Sequence, residues 1–437
     1  MILRLFLICY DLLWWLLLPV VLIYVVVRGR KDAMYLRKLH QRFGFYRASV
    51  RRPVWIHAVS LGETRSALGL IRALLDRGEV VLTTHFTPAG LREAERYFSD
   101  EIRSGRVQAV WVPFDMRLIY WLFFRTFRPK LGLVMEVEIW PGMIFAARAA
   151  DVPLFMCNAQ YATRPLARDS AGLRLRQRVM GGFAGALVKS DLQAARFASV
   201  GVQNIVVTGE MRFDQPIPQA QVQAAGMARA HLAPDRRCIT IASAVEGEEP
   251  TYIAAIHALR DAARFAGEPP PLIVFVPRAP ERFAATGALL QAEGWSVMAR
   301  STAFAVGAEG LGHFAAPAPA ATAPDILLGD SLGEMYFYLS LADQVVVGGG
   351  FTPRGSHNII EPLAMGKPVL TGPYVWTIEY PFAEAELAGV ARSVPDAAAL
   401  VAALREPFAP PPAAIRSFFD HHAGGVGKTM TVLQQHL

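Results

Sequence analysis

Three stretches of this 437-residue chain place carboxylates where burial would be costly unless they serve a purpose. In HAVSLGETRSA (57–67), Glu63 follows Ser60 by three residues, the spacing of a helix capping box. It also lies just beyond an apolar run, where a strand's carboxyl end would present it to a ligand. In VMEVEIWPGMI (134–144), Glu136 and Glu138 end an otherwise apolar run, and a period of two would set them on one side. The third stretch, 329–373, reads GDSLGEMYFYLSLADQVVVGGGFTPRGSHNIIEPLAMGKPVLTGP. Its order is helix, β-branched strand, three glycines, then a helix with Asn358 as N-cap and Glu361-Pro362 in the first turn. Glycines let backbone approach a ligand, a helix N-terminus attracts an anion, and a carboxylate one turn in can accept from two ribose hydroxyls. The combination suits a nucleotide carrying phosphate. The plainer reading of the same residues is a set of tight loops in a doubly wound domain.

The elements that must position these groups are legible as apolar runs. Residues 54–59, 80–84, 107–112, 131–137, 152–156, 186–188 and 204–208 read as strands with helical segments in most of the intervals. A second alternation follows at 238–242, 272–276, 296–299, 326–328, 345–347 and 368–370. Near-continuous apolar strands separated by helices imply an α/β fold with two Rossmann-like domains facing a cleft. The expected boundaries are an anchor and basic segment at 1–50, a first domain at 51–215, a linker at 216–236 and a nucleotide domain at 237–437. The Ala/Gly/Pro-rich segment 303–324 reads as a mobile loop.

Residues 5–27 form an apolar run broken only by Asp11 and Pro19, close to the ~20 residues a transmembrane helix needs. Arg4 alone precedes it, whereas Arg28, Arg30, Lys31, Arg37, Lys38, Arg42, Arg47, Arg51 and Arg52 follow. The positive-inside rule then expects a single span with everything after Val27 in the cytoplasm. A net charge of +7 favours an anionic partner, and the basic residues beside the apolar run point to a membrane surface. No nucleic-acid module is recognisable, so nucleic acid is not expected. Residues 116–130 mix aromatics with arginine, as a helix partly meeting lipid would. Cys9, Cys157 and Cys238 fit neither a metal pattern nor a disulfide framework.

GDSLGE, GGGFTPRGSHNIIEP and GKPVLTGP resemble the 3-deoxy-D-manno-octulosonic acid (Kdo) transferases of the GT-B glycosyltransferase superfamily. The likeness extends to HAVSLGETRSA, to MEVEIWP, to TGEMRFD (208–214) and to VPRAPERF (276–283). It implies a membrane-bound, inverting enzyme of the bacterial inner membrane that moves Kdo from CMP-Kdo to a lipid A precursor, with no metal and no cofactor. By the same resemblance Glu63 is the catalytic base, Glu136 stabilises the transition state, and Arg212 supplies positive charge where the family has Lys. Pro277, Arg278, Leu332, Gly333, Glu334, Asn358, Ile359, Ile360 and Glu361 would contact CMP. Ala244 and Val245 replace a Thr-His pair, Ala279 replaces His, and NAQYATRP (158–165) diverges from an Asn-Ala-Arg pattern. These departures bear on the acceptor more than on CMP. A GT-B transferase using a UDP-sugar and a lipid-linked acceptor, or a non-catalytic lipid-binding relative, remain the alternatives. GGVGKT (424–429) imitates a phosphate loop without a preceding strand, and His421-His422 reads as an exposed pair.

Overall fold

The computed structural model describes residues 2–170, 172–304, 324–406 and 408–437. Most of the expected mobile loop 303–324 lies outside them. The chain divides into two compact units, one of residues up to Gln215 together with His422–Leu437, the other Pro216–His421.

The first unit is built on β1 (Val54–His57), β2 (Val81–His85), β3 (Val107–Trp111), β4 (Leu131–Met135), β5 (Leu154–Ala159), β6 (Gly185–Val188) and β7 (Ile205–Val207). They form one parallel sheet in the order β3-β2-β1-β4-β5-β6-β7. Both faces are covered, which is why the strands read as unbroken apolar runs. On one face Trp55, Tyr120, Phe123, Phe124 and Phe127 pack together, and on the other Ile56, Leu70, Leu74, Leu131 and Leu133. The aromatics of 116–130 are therefore mostly core: the helix Arg117–Phe127 buries Tyr120, Phe123, Phe124 and Phe127 while Leu118 and Trp121 face outward.

The second unit holds β8 (Cys238–Ala244), β9 (Leu272–Pro277), β10 (Val297–Ala299), β11 (Ile326–Leu328), β12 (Gln344–Val347), β13 (Val369–Thr371) and β14 (Ala391–Ser393). These too are parallel, in the order β10-β11-β9-β8-β12-β13-β14. Each sheet reverses its direction of winding at one point, between β1 and β4 in the first and between β8 and β12 in the second. A crevice opens at the carboxyl ends of strands at such a point.

Two segments differ from the sequence reading. Residues expected as a linker contain a helix, Gln219–Leu232, whose Ala224, Ala225 and Ala228 are buried against the helix Met335–Leu341. Small side chains let two helices approach closely, and an alanine stripe gives little hydrophobic signal. The last residues leave the second unit: the helix Gly425–Leu433 adds Met430 and Leu433 to the first unit's core. That helix is what GGVGKT forms, and His422 stacks on Phe213 with centroids 5.5 Å apart.

Asp214 fastens this return, its two carboxylate oxygens accepting from the N–H groups of Gly424 and Val426, each at 2.6 Å. Asp214→Ala should cost about 1–2 kcal/mol, as loss of a charged cap does, and should expose the 422–437 segment to protease. Chemical denaturation and limited proteolysis would check this, and unchanged values for both would show that the apolar contacts alone hold the helix.

Candidate functional site

At the winding reversal of the first sheet, β1 gives way to a loop that Ser60 closes into the helix Leu61–Asp76. The capping box is present. Ser60 Oγ accepts from Glu63 N–H at 3.3 Å, and Glu63 Oε2 accepts from the N–H groups of Val59 and Ser60 at 2.5 and 3.0 Å. One carboxylate oxygen is thus committed to backbone, leaving Oε1 to exchange a proton with a substrate. Burial first, then the negative charge of Glu136, pushes the Glu63 carboxyl up to about 7; Glu138 adds to this, and the two N–H donors oppose it. Beneath the loop His57 and His85 are fully buried, bonded to Thr84 and to Ala58 O at 2.9 and 3.0 Å. Burial lowers them to about 3 and about 4, so both are neutral supports.

Glu136 and Glu138 do not share a strand face. The strand ends at Met135, and Glu136 sits at φ +57°, a left-handed conformation that turns the chain out of the sheet. That turn defeats the period-two argument, and the two acids take different partners. Glu136 Oε1 pairs with Arg212 Nη2 at 2.9 Å, while Trp140 Nε1 donates to Glu138 at 2.7 Å. Arg212 Nε also donates to Ser66 on the Glu63 helix at 3.1 Å. Arg212 therefore ties the loop after β4 to the helix after β1, and the Arg expected to bring positive charge lies beside both acids.

Behind Arg212 lies a buried ion pair that the sequence reading did not single out. Lys189 Nζ lies 2.7 Å from Glu210 Oε2, both fully enclosed, and Asn158 Nδ2 donates to Glu210 Oε1 at 2.8 Å. Asn158 Oδ1 accepts from Met211 N–H at 3.1 Å, and Glu210 Oε1 from Arg212 N–H at 3.2 Å. Burial acts to raise the Glu210 carboxyl, but the Lys189 and Arg212 charges and the donors outweigh it and hold it near 2. The one available signal was a charged residue, Lys189, directly after the apolar strand β6.

In the second unit the three glycines follow β12, but it is protein that surrounds them. A Cβ on Gly348 would stand 2.4 Å from Ser243 O, and one on Gly349, at φ +90°, 2.3 Å from Gly355 O. The glycines are needed for backbone packing, and the loop is pinned by Glu248. That carboxylate, fully buried, accepts from the N–H groups of Val245, Gly349 and Phe351 at 3.0, 2.8 and 2.9 Å. The next helix, Ile360–Ala364, is one residue shorter at its start than expected, and Asn358 Oδ1 accepts from Ile360 N–H at 3.0 Å. Ile359 and Ile360 point their side chains into the core, so a ligand could meet only their backbone. Glu361 is half-buried in the first turn.

The loops after β9 and β11 carry the remaining residues expected at a nucleotide. Pro277 ends β9 and Arg278 follows, its N–H donating to Ala244 O at 2.8 Å and its side chain exposed. His357 Nε2 is buried without a hydrogen-bond partner; burial and then the Arg278 charge lower this imidazole to about 4. Leu332 is exposed, and Gly333 at φ +80° presents its carbonyl to Gln221 Nε2 at 2.9 Å. Glu334 is already engaged, pairing with Arg300 Nη2 at 3.1 Å and accepting from Ser331 Oγ. It shapes the loop. Among the described residues no group of three or more His, Cys, Asp or Glu could hold a metal ion.

Lys189→Met should cost about 3–5 kcal/mol, because it strands Glu210 as a buried charge. The loss should be greatest above pH ~4.5, where an unpaired Glu210 is ionised in the unfolded chain, and should shrink as the pH falls toward 2. Urea denaturation at two pH values would measure it, and a variant as stable as the parent at pH 7 would remove this pair from the site's supports.

Comparison with known proteins places this geometry in a family. A family model described as 3-deoxy-D-manno-octulosonic-acid transferase (kdotransferase) matches residues 37–215. The 3-deoxy-D-manno-octulosonic acid transferase of Bordetella pertussis is 38% identical over 397 residues, 89% of each chain. That of Haemophilus influenzae is 28% identical over 365 residues, 82% of this chain and 80% of the relative. Among solved structures, a glycosyltransferase from Rickettsia africae covers 88% of this chain and 98% of its own at TM-score 0.56 and 10% identity. UDP-GlcNAc 2-epimerase from Neisseria meningitidis covers 88% and 99% at 0.55 and 13%. These structural likenesses show the fold, which is of the GT-B type. On the sequence relationship, which spans most of both chains, this protein belongs to the 3-deoxy-D-manno-octulosonic acid transferase family of glycosyltransferases.

Proposed function

We propose that this enzyme transfers Kdo from CMP-Kdo to a hydroxyl of a lipid A precursor, lipid IVA, with inversion, during lipopolysaccharide synthesis. Glu63 removes the proton from the acceptor hydroxyl, whose oxygen attacks the anomeric carbon of Kdo as the bond to CMP breaks. The observation that carries this reading is the state of Glu63. It stands at the carboxyl end of β1, with Oε2 fixed by two backbone N–H groups and its carboxyl raised to about 7. A base near neutrality is strong enough to accept a proton yet still ionised enough to act. Glu136, held by Arg212, keeps Glu63 basic through its charge and favours positive charge developing on the sugar.

The donor is assigned to the second unit. Glu361 takes the ribose hydroxyls, the backbone of 358–360 and the side chain of Arg278 meet the phosphate, and the loop 332–334 borders the base. What supports this is the exposed Arg278 beside the unpartnered Nε2 of His357, two groups suited to an anion. CMP is a good leaving group, so single displacement requires no metal. The N-terminal helix and the basic residues after it keep the enzyme at the inner membrane with its catalytic units in the cytoplasm.

Glu63→Gln should lower Kdo transfer by ~10² to 10⁴ while leaving CMP affinity unchanged, since Gln can accept the same backbone hydrogen bonds but cannot take the proton. In the parent enzyme kcat/KM should rise about tenfold per pH unit below about 7 and level off above it. The stability sign is opposite to that of a salt-bridged acid. With its pKa raised above about 4.5 on folding, Glu63 favours the fold below that pH and loses this contribution as pH rises through about 7. The Gln variant should therefore be at least as stable as the parent at pH 8. Turnover within a few-fold of the parent would transfer the base role to Glu136 or Glu138.

Glu361→Ala should weaken CMP-Kdo binding with little change in acceptor binding. Calorimetric titration with CMP and with UDP tests this, and preference for UDP would replace the donor assignment.

A further inference from the structure

The N-terminal helix Ile2–Lys31 is long and apolar enough to cross a bilayer, yet the first unit packs against it along its whole length. The shielded positions are 3, 6, 7, 10, 11, 14, 18, 21, 22, 25 and 29, successive steps of three, one or four that trace one face of a helix. Near its start Leu3 and Phe6 join the aromatic core. Midway, Tyr10 OH donates to Asp115 at 2.7 Å, Asp11 pairs with Arg117 at 2.6 Å, and Trp14 lies against Phe114 with centroids 6.2 Å apart. Further on Leu18, Val21 and Leu22 cover Phe114, Met116 and Ile119. At the far end a Cβ on Gly29 would strike Leu36, so the helix meets the following turn too closely for any other residue.

The opposite face is bare: Leu5, Leu12, Leu16, Val20, Ile23 and Val27 are exposed. A helix with one face on protein and one on lipid is apolar all round, as this one is.

We infer that this helix lies in the plane of the membrane, seated on the first unit, and does not cross the bilayer. Thirty residues span ~45 Å, and the ~30 Å hydrocarbon core would enclose the middle of an upright helix. The contacts at its middle would then carry Asp115, Arg117 and the rest of the unit's flank into hydrocarbon, where charged groups are expelled. Lying flat removes that conflict. The bare aliphatic face sinks to the acyl boundary, and Arg4, Arg28, Arg30 and Lys31 reach the headgroups from the two ends. Exposed Leu118 and Trp121 extend the same apolar surface. An open groove beside Trp121, lined by Arg52, Arg117, Arg125, Arg128 and Lys130 against Asp11 and Asp151, makes the partner an anionic bilayer and not another protein.

The test is sidedness of the full chain in native membranes. A short polar tag is placed before Met1, and Ala48→Cys in a Cys9→Ser background marks the body. An in-plane helix predicts that protease added to inverted vesicles removes the tag and that an impermeant maleimide labels Cys at 48 in the same vesicles. Removal of the tag only in right-side-out vesicles, with position 48 labelled only in inverted ones, would show a spanning helix and overturn the inference. The reading is independent of the donor and acceptor assigned above.

Discussion

Carboxylates buried against backbone N–H groups hold this structure's working loops. Burying a charge is costly unless its lone pairs meet donors, so each such acid fixes the chain around it. Glu63 holds the loop after β1, Asp115 accepts from Gly142 and Met143 at the start of the helix after β4, Glu210 orders the turn carrying Arg212, and Glu248 binds the glycine loop after β12. All of them serve loops at the carboxyl ends of parallel strands, where the sheet itself supplies no further partners.

Their immediate surroundings then divide these acids into different chemical states. Glu210 has Lys189 against it and stays ionised down to about 2. Glu63 has the carboxylate of Glu136 nearby in place of a cation and rises to about 7. Hydrogen bonding to backbone is common to both, so the sign of the neighbouring charge decides which acid is a structural anion and which can trade a proton. Arg212 connects the two settings, taking its backbone position from Glu210 and giving its guanidinium to Glu136. A lysine at that position could neutralise Glu136 but could not also present a planar second donor to Ser66.

Much of the fold was legible because a parallel sheet covered on both faces must be written in apolar runs, and thirteen of the expected runs correspond to strands. What escaped was weakly patterned. β14 is a three-residue edge strand containing Arg392, and Gln219–Leu232 buries alanines in place of large side chains. Motif residues were found as names, while their partners were not. Lys189, Glu210 and Glu248 lie far along the chain from the groups they hold, and only folding brings them within hydrogen-bonding distance.

The sequence by itself determined the α/β class, the two alternations of strand and helix, the apolar N-terminal segment and the family, since periodicity and motif order are local properties of the chain. Tertiary structure alone decided the rest. It turned Glu136 away from Glu138 through a left-handed residue, returned the last helix to the first unit, and gave the glycines of 348–350 to backbone packing. It also laid the N-terminal helix along the body, because a stripe of apolar residues does not record whether protein or lipid will cover it.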